Sequence, residues 1–109
     1  MEKKTHILVV DDEQYITKLV ERTLGEDAGY IVSVANDGNS ALAMLAEIEP
    51  DVVLLDIRMP GLDGYQVLER IRESSDVPVR MLTAVHEKTA IARSLGLGAD
   101  EFIEKPFLP

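Results

Sequence analysis

The chain has 109 residues, 46% hydrophobic and 28% charged, which is the size and mix of one soluble globular domain. Twenty acids against eleven Lys and Arg leave a net charge of −9. That balance argues against direct binding of nucleic acid, because phosphate contacts need basic side chains. There is no cysteine, so disulfides, thiolate metal sites and cysteine nucleophiles are excluded.

Ile7-Leu8-Val9-Val10 is a short, continuous apolar run ending in Asp11-Asp12. Such a run fits a central parallel strand buried on both faces. Ile16, Leu19, Val20 and Leu24 then recur at helical spacing, and Gly25 and Gly29 mark the helix exit. Ile31 to Ala35 reads as a second strand, less purely apolar and so nearer an edge. Ser40 to Ile48 is Ala- and Leu-rich helix material stopped by Pro50. Val52-Val53-Leu54-Leu55 repeats the buried-strand pattern and ends in Asp56. A third helix starts at Leu62 or Asp63 and carries Val67, Leu68 and Ile71. Val77 to Leu82 is a fourth strand with Pro78 near its start, where no ladder bond is lost. Lys88 to Leu95 reads as a fourth helix closed by Gly96 and Gly98. Glu101 to Glu104 is a short, polar-flanked strand suited to the opposite edge. Arg80 stands mid-strand, where a charge must reach the surface or meet an acid.

No apolar run approaches the ~20 residues of a membrane span. The basic start Met1-Glu2-Lys3-Lys4 leads into an apolar run that stops at Val10, too short for a signal peptide. A cytoplasmic location with no membrane partner is expected.

The alternation of strand and helix predicts a five-stranded parallel α/β sheet with helices on both faces. Strand C-terminal ends then share one edge, where ligands bind in such folds. Asp11, Asp12, Asp56, Thr83 and Lys105 all fall at or just past a strand end. Alone, Asp11-Asp12 would serve as a helix cap, Thr83 as a β-former and Lys105 as a solvated surface residue. Together, three carboxylates repel unless a cation intervenes, and Mg²⁺, an oxygen-seeking ion that keeps several waters, suits them (Mn²⁺ is the alternative). His6 and His86 have no metal-ligand partner at usable spacing and read as surface or capping residues.

From Ile7 to Phe107 the order and spacing of these residues resemble the receiver domain of two-component response regulators. The loop Ile57-Arg58-Met59-Pro60-Gly61-Leu62-Asp63-Gly64 and the Lys105-Pro106-Phe107 ending carry the likeness further. The resemblance implies one receiver domain over 1–109, of flavodoxin-like, doubly wound type with strand order 2-1-3-4-5. It implies that Asp56 is the phosphoacceptor. Asp12 and Asp56 would ligate Mg²⁺, with Asp11 acting partly through water and Arg58 offering its backbone carbonyl. Thr83, the Ala84 N–H and Lys105 would meet the phosphoryl group, Phe102 would be the switch aromatic, and the Lys105-Pro106 bond would be cis. The implied partners are a sensor histidine kinase or phosphotransfer protein and an output domain or effector. A fifth helix that the family carries is expected to be absent from these 109 residues, either because the sequence is cut short at its C-terminal end or with an apolar face left open to self-association as a homodimer.

Three other functions compete. A receiver-shaped interaction domain could act without phosphate. An aspartyl-nucleophile phosphatase would want a second acid where Arg58 stands. A nucleotide- or flavin-binding module would want a glycine-rich loop where Asp11-Asp12-Glu13 sits. In the first reading the chain accepts a phosphoryl group on itself and turns over no external metabolite.

Overall fold

The computed structural model describes residues 4–83, 96–99 and 101–104, with Thr83 and residues 101–104 described by their backbone alone. Five parallel strands form one sheet: β1 (His6–Val10), β2 (Ile31–Ala35), β3 (Val52–Asp56), β4 (Val79–Thr83) and β5 (Glu101–Glu104). Their order is β2-β1-β3-β4-β5, as the family resemblance implies. The less apolar second and fifth strands are the two edges.

Successive side chains of a strand point to opposite faces, and both faces of the central strands are covered. Leu8, Val10, Val53 and Leu55 join Val67, Leu68 and Ile71 in one buried cluster. Ile7, Val9 and Leu54 join Ile16, Val20 and Leu82 in another on the opposite face. Leu8, Val9, Val10, Val53 and Leu55 have almost no exposed surface. Burying a side chain of this size contributes roughly 1.5–3 kcal/mol, so these residues anchor the sheet and the loops that leave it.

The first three helices form where their spacing predicts, with differences at the ends. The first, α1 (Gln14–Val20), runs on as a π-helical segment, Glu21–Asp27. The segment closes around Gly29, at φ 81°, with Tyr30 N donating to the Leu24 carbonyl at 2.9 Å. Helix α2 spans Gly38–Ile48, two residues earlier than its apolar run suggests, because Asp37 caps it by accepting from Ser40 N at 2.7 Å. The Ser40 amide and hydroxyl hold the Asp37 carboxyl below its ordinary range. This cap is therefore complete above the unfolded carboxyl's pKa and is lost as pH falls through the lowered value. At the other end Glu49 sits in the left-handed region at φ 44°. Helix α3 (Gly64–Ser74) opens with a full capping box: Asp63 accepts from Gln66 N at 2.9 Å, and Gln66 Oε1 accepts from Asp63 N at 3.0 Å.

Two local readings need correction. Strand β4 begins at Val79, not Val77, because Pro78 has no N–H to pair; its carbonyl instead accepts from Val53 N at 2.9 Å. His6 is not a plain surface residue preceding the sheet. It is the half-buried first residue of β1, with its ring Nε2 2.7 Å from the Ser33 hydroxyl and its backbone N donating to Asp51 Oδ2 at 2.8 Å. Arg80 is exposed, as its charge requires, and stands opposite Glu101 in the β4–β5 register. The fourth helix, placed at 88–95, and His86 lie outside the described residues. Among the described residues no helix is long and apolar enough to cross a membrane.

Candidate functional site at the C-terminal edge of the sheet

Strands β1 and β3 are hydrogen-bonded neighbours, paired through Val10 and Leu55. The next residue of each, Asp11 and Asp56, therefore emerges at the same edge of the sheet. The reversal of winding that places β1 and β3 side by side also opens the crevice above them.

Each acid is held by its backbone. Asp11 N donates to the Ala35 carbonyl at 3.1 Å, and the Asn36 side-chain amide donates to the Asp11 carbonyl at 3.0 Å. These bonds tie the loop after β1 to the end of β2. Asp11 Oδ1 accepts from Glu13 N at 2.9 Å, folding the chain back over its own carboxylate before α1 begins. On β3, Asp56 is paired with Leu82, and the following Ile57 N donates to the Leu82 carbonyl at 3.2 Å. Gly64 N donates to the Ile57 carbonyl at 2.8 Å, drawing the start of α3 over the end of β3. A Cβ at Gly64 would collide with the Asp56 carbonyl oxygen and lie 2.7 Å from Ile57 Cα. Only glycine fits this close approach.

The result is an acidic cluster. One carboxylate oxygen from each of Asp11, Asp12, Glu13 and Asp56 lies within 4.8 Å of the others. Asp11 and Asp56 form the buried floor, at 0% and 4% exposure, while Asp12 and Glu13 stand at the exposed rim. All four donors are hard oxygens, and the open rim leaves room for water. This donor set fits Mg²⁺, which takes oxygen ligands and retains part of its hydration shell.

The structure thus brings Asp11, Asp12 and Asp56 together as their strand ends predict. Glu13 joins them, a residue that sequence reasoning left out of the ligand set. The signal for it was present: a third acid directly follows the pair, before the helix takes up its period. Arg58 is exposed in the loop between β3 and α3. Thr83 ends β4, one residue beyond the Leu82 that pairs with Asp56. Phe102 lies in β5 opposite Met81. Ala84, Lys105 and Pro106, with the cis bond expected there, lie outside the described residues.

Comparison with known proteins agrees with this geometry. The model of the response regulator receiver domain matches residues 7–109. The probable transcriptional regulator ycf27 of Guillardia theta is 48% identical over 109 residues, covering all of this chain and 42% of that protein. The chain spans about two fifths of the curated relatives that it matches. Among solved structures, the Vibrio cholerae chemotaxis protein CheY4 superposes with a TM-score of 0.93 at 34% identity, over 98% of this chain and 91% of that one. The receiver domain of NtrX from Brucella abortus gives 0.85 at 38% identity, over 94% and 87%. The match runs through both acid-bearing strand ends, and the chain belongs to the receiver domain family of two-component response regulators.

Proposed function

We propose that this receiver accepts a phosphoryl group on Asp56 from a histidine kinase or phosphotransfer protein, in a reaction that requires Mg²⁺. The observation that carries the reading is the burial of Asp56 beside Asp11, with Asp12 at the rim of the same cluster. A carboxylate is a competent nucleophile for phosphoryl transfer. One Asp56 oxygen attacks phosphorus as the bond from phosphorus to the donor imidazole nitrogen breaks, and the departing imidazole takes up a proton. Asp11, Asp12 and Asp56 are the residues that would hold the cation, joined by the Arg58 carbonyl. Bound there, Mg²⁺ supplies positive charge to the nucleophile and the phosphoryl oxygens together.

In the same reading Thr83, the Ala84 N–H and Lys105 receive the phosphoryl oxygens, and Phe102 repacks in response. A new charge then biases a two-state packing element. The chain modifies itself and turns over no external metabolite. An output domain or effector reads the change; the relatives' description as probable transcriptional regulators points to transcription as the output.

The test is intact mass after incubation with acetyl phosphate and Mg²⁺. The expected result is an adduct of one phosphoryl group, absent without Mg²⁺ and absent in Asp56→Asn. Folded protein that takes up no phosphoryl group would reject the reading in favour of a phosphate-independent interaction domain.

A further inference from the structure

Two peptide planes meet at the Cα of Asp11, and the chain holds both. The first carries the Asp11 N–H, which donates to the Ala35 carbonyl at 3.1 Å and extends the β1–β2 ladder past the Val10–Ala35 pair. The second carries the Asp11 carbonyl, which accepts from the Asn36 side-chain amide at 3.0 Å, and leads on to Asp12. A peptide unit is planar, so fixing the planes on either side of a residue fixes its two soft torsions. The direction in which the Asp11 carboxylate leaves the chain follows from these two bonds, and so does the point from which Asp12 departs. The first bond is main chain to main chain and belongs to the sheet. The second depends on the side chain at position 36. That side chain is offered from a fixed backbone. Ala35 before it is buried at the end of β2, and Asp37 after it caps α2, accepting from Ser40 N at 2.7 Å and Ser40 Oγ at 3.2 Å. Because Asp37 does the capping, the Asn36 amide serves the neighbouring loop instead. An amide is the group this place requires, since a carboxylate has no proton to donate to a carbonyl.

We propose that Asn36 is a positioning residue for the cation site, acting through the Asp11 carbonyl to aim the Asp11 and Asp12 carboxylates. The inference rests on the cation-dependent reading of Asp11, Asp12 and Asp56. Mg²⁺ demands near-ideal octahedral geometry, so its affinity depends on how accurately its carboxylates are aimed as well as on their number. Groups that hold ligands in place, without binding the metal, typically change affinity roughly 10- to 100-fold when lost. Asn36 holds the main chain of a loop that the sheet also anchors, so the lower end of that range, about ten-fold, is expected. The residue is exposed and neutral, and its loss changes neither the buried core nor the charge of the cluster. Cation affinity and fold stability are therefore separable at this position.

The experiment is titration of the protein with MgCl₂, followed through the backbone amide resonances of the folded state. Wild type, Asn36→Leu, Asn36→Ala, Ile71→Val and Asp56→Asn are compared, and the same spectra show that each is folded. Asn36→Leu keeps the size of the side chain and removes the donor, and Asn36→Ala is the second variant if an exposed leucine impairs folding. Ile71→Val loosens the buried core toward the far end of α3 and controls for general loosening. The proposal expects the Asn36 variants to bind Mg²⁺ about ten-fold more weakly than wild type, and Ile71→Val to bind as wild type does. Wild-type affinity in the folded Asn36 variants would overturn it, while loss of binding in Asp56→Asn would leave the cation site standing. An equal loss in Ile71→Val would overturn it too, by making the weakening a consequence of a looser fold. Failure of wild type to bind the ion would remove both this proposal and the reading beneath it.

Discussion

At the starts of α2 and α3 an aspartate meets backbone N–H groups, whereas at the ends of β1 and β3 aspartates meet one another. Asp37 and Asp63 each accept a bond from the amide of the third helical residue, where the helix dipole also favours their charge. Asp12, Glu13 and Asp56 share a few ångströms with Asp11, which shows both habits. The contrast separates acids that hold the fold from acids that the fold holds in place. Removing the first kind should cost stability. Removing the second should cost function and leave the metal-free protein as stable or more so.

Three substitutions sharpen or break that contrast. The largest effect on stability is expected at Gly64, which lets the capped start of α3 close over Asp56. Gly64→Ala forces a Cβ against the Asp56 carbonyl and should destabilise by about 2 kcal/mol, at the centre of the range for overpacking. Chemical denaturation measures it, and an unchanged midpoint would mean that the loop is not held as described. Next is Asp63→Ala, which dismantles the capping box and should cost about 1 kcal/mol by the same measurement. Asp12→Asn should have the opposite sign. Without divalent cation it should raise stability by about 0.5–1 kcal/mol through relief of like-charge repulsion. That gain should shrink when Mg²⁺ is added to both proteins. A loss of stability in metal-free Asp12→Asn would place Asp12 among the structural acids and erase the distinction.

How far these roles could be read from the chain depends on what each residue answers to. The runs Ile7 to Val10 and Val52 to Leu55 are legible because a central parallel strand is buried on both faces and has no polar side to disguise it. Their terminal aspartates follow from topology alone, since paired strands deliver their next residues to the same edge. Glu13 was harder to see. Its position is set by a turn in which Asp11 folds back onto the following amide, and such a bond leaves no mark on hydrophobic spacing. The π-helical stretch after Val20 is hidden for a related reason. Apolar residues at three- and four-residue intervals report which face is buried, not how far each N–H reaches back along the chain. Asp37 escaped notice because a cap lies outside the apolar period that announces its helix, whereas Asp63 stood beside a run with Val67, Leu68 and Ile71 to point at it. The bonds of His6 are not legible in the sequence, because its partners, Ser33 and Asp51, come from distant parts of the chain.

The left-handed Glu49 at the end of α2 has a practical meaning for engineering. A side chain at φ 44° is held in a conformation that glycine adopts freely, and glycine is the favoured residue just past a helix end. The buried Pro50 that follows restricts Glu49 further. Exchange of Glu49 for glycine should therefore strengthen the fold by about 0.5 kcal/mol, measurable as a raised denaturation midpoint. Helix α2 is capped by Asp37 on the side of the sheet where β1 and β3 end, and Glu49 lies at its far terminus, away from the acidic cluster. The protein thus carries an untapped margin of durability that can be drawn on without altering the residues through which a signal would enter.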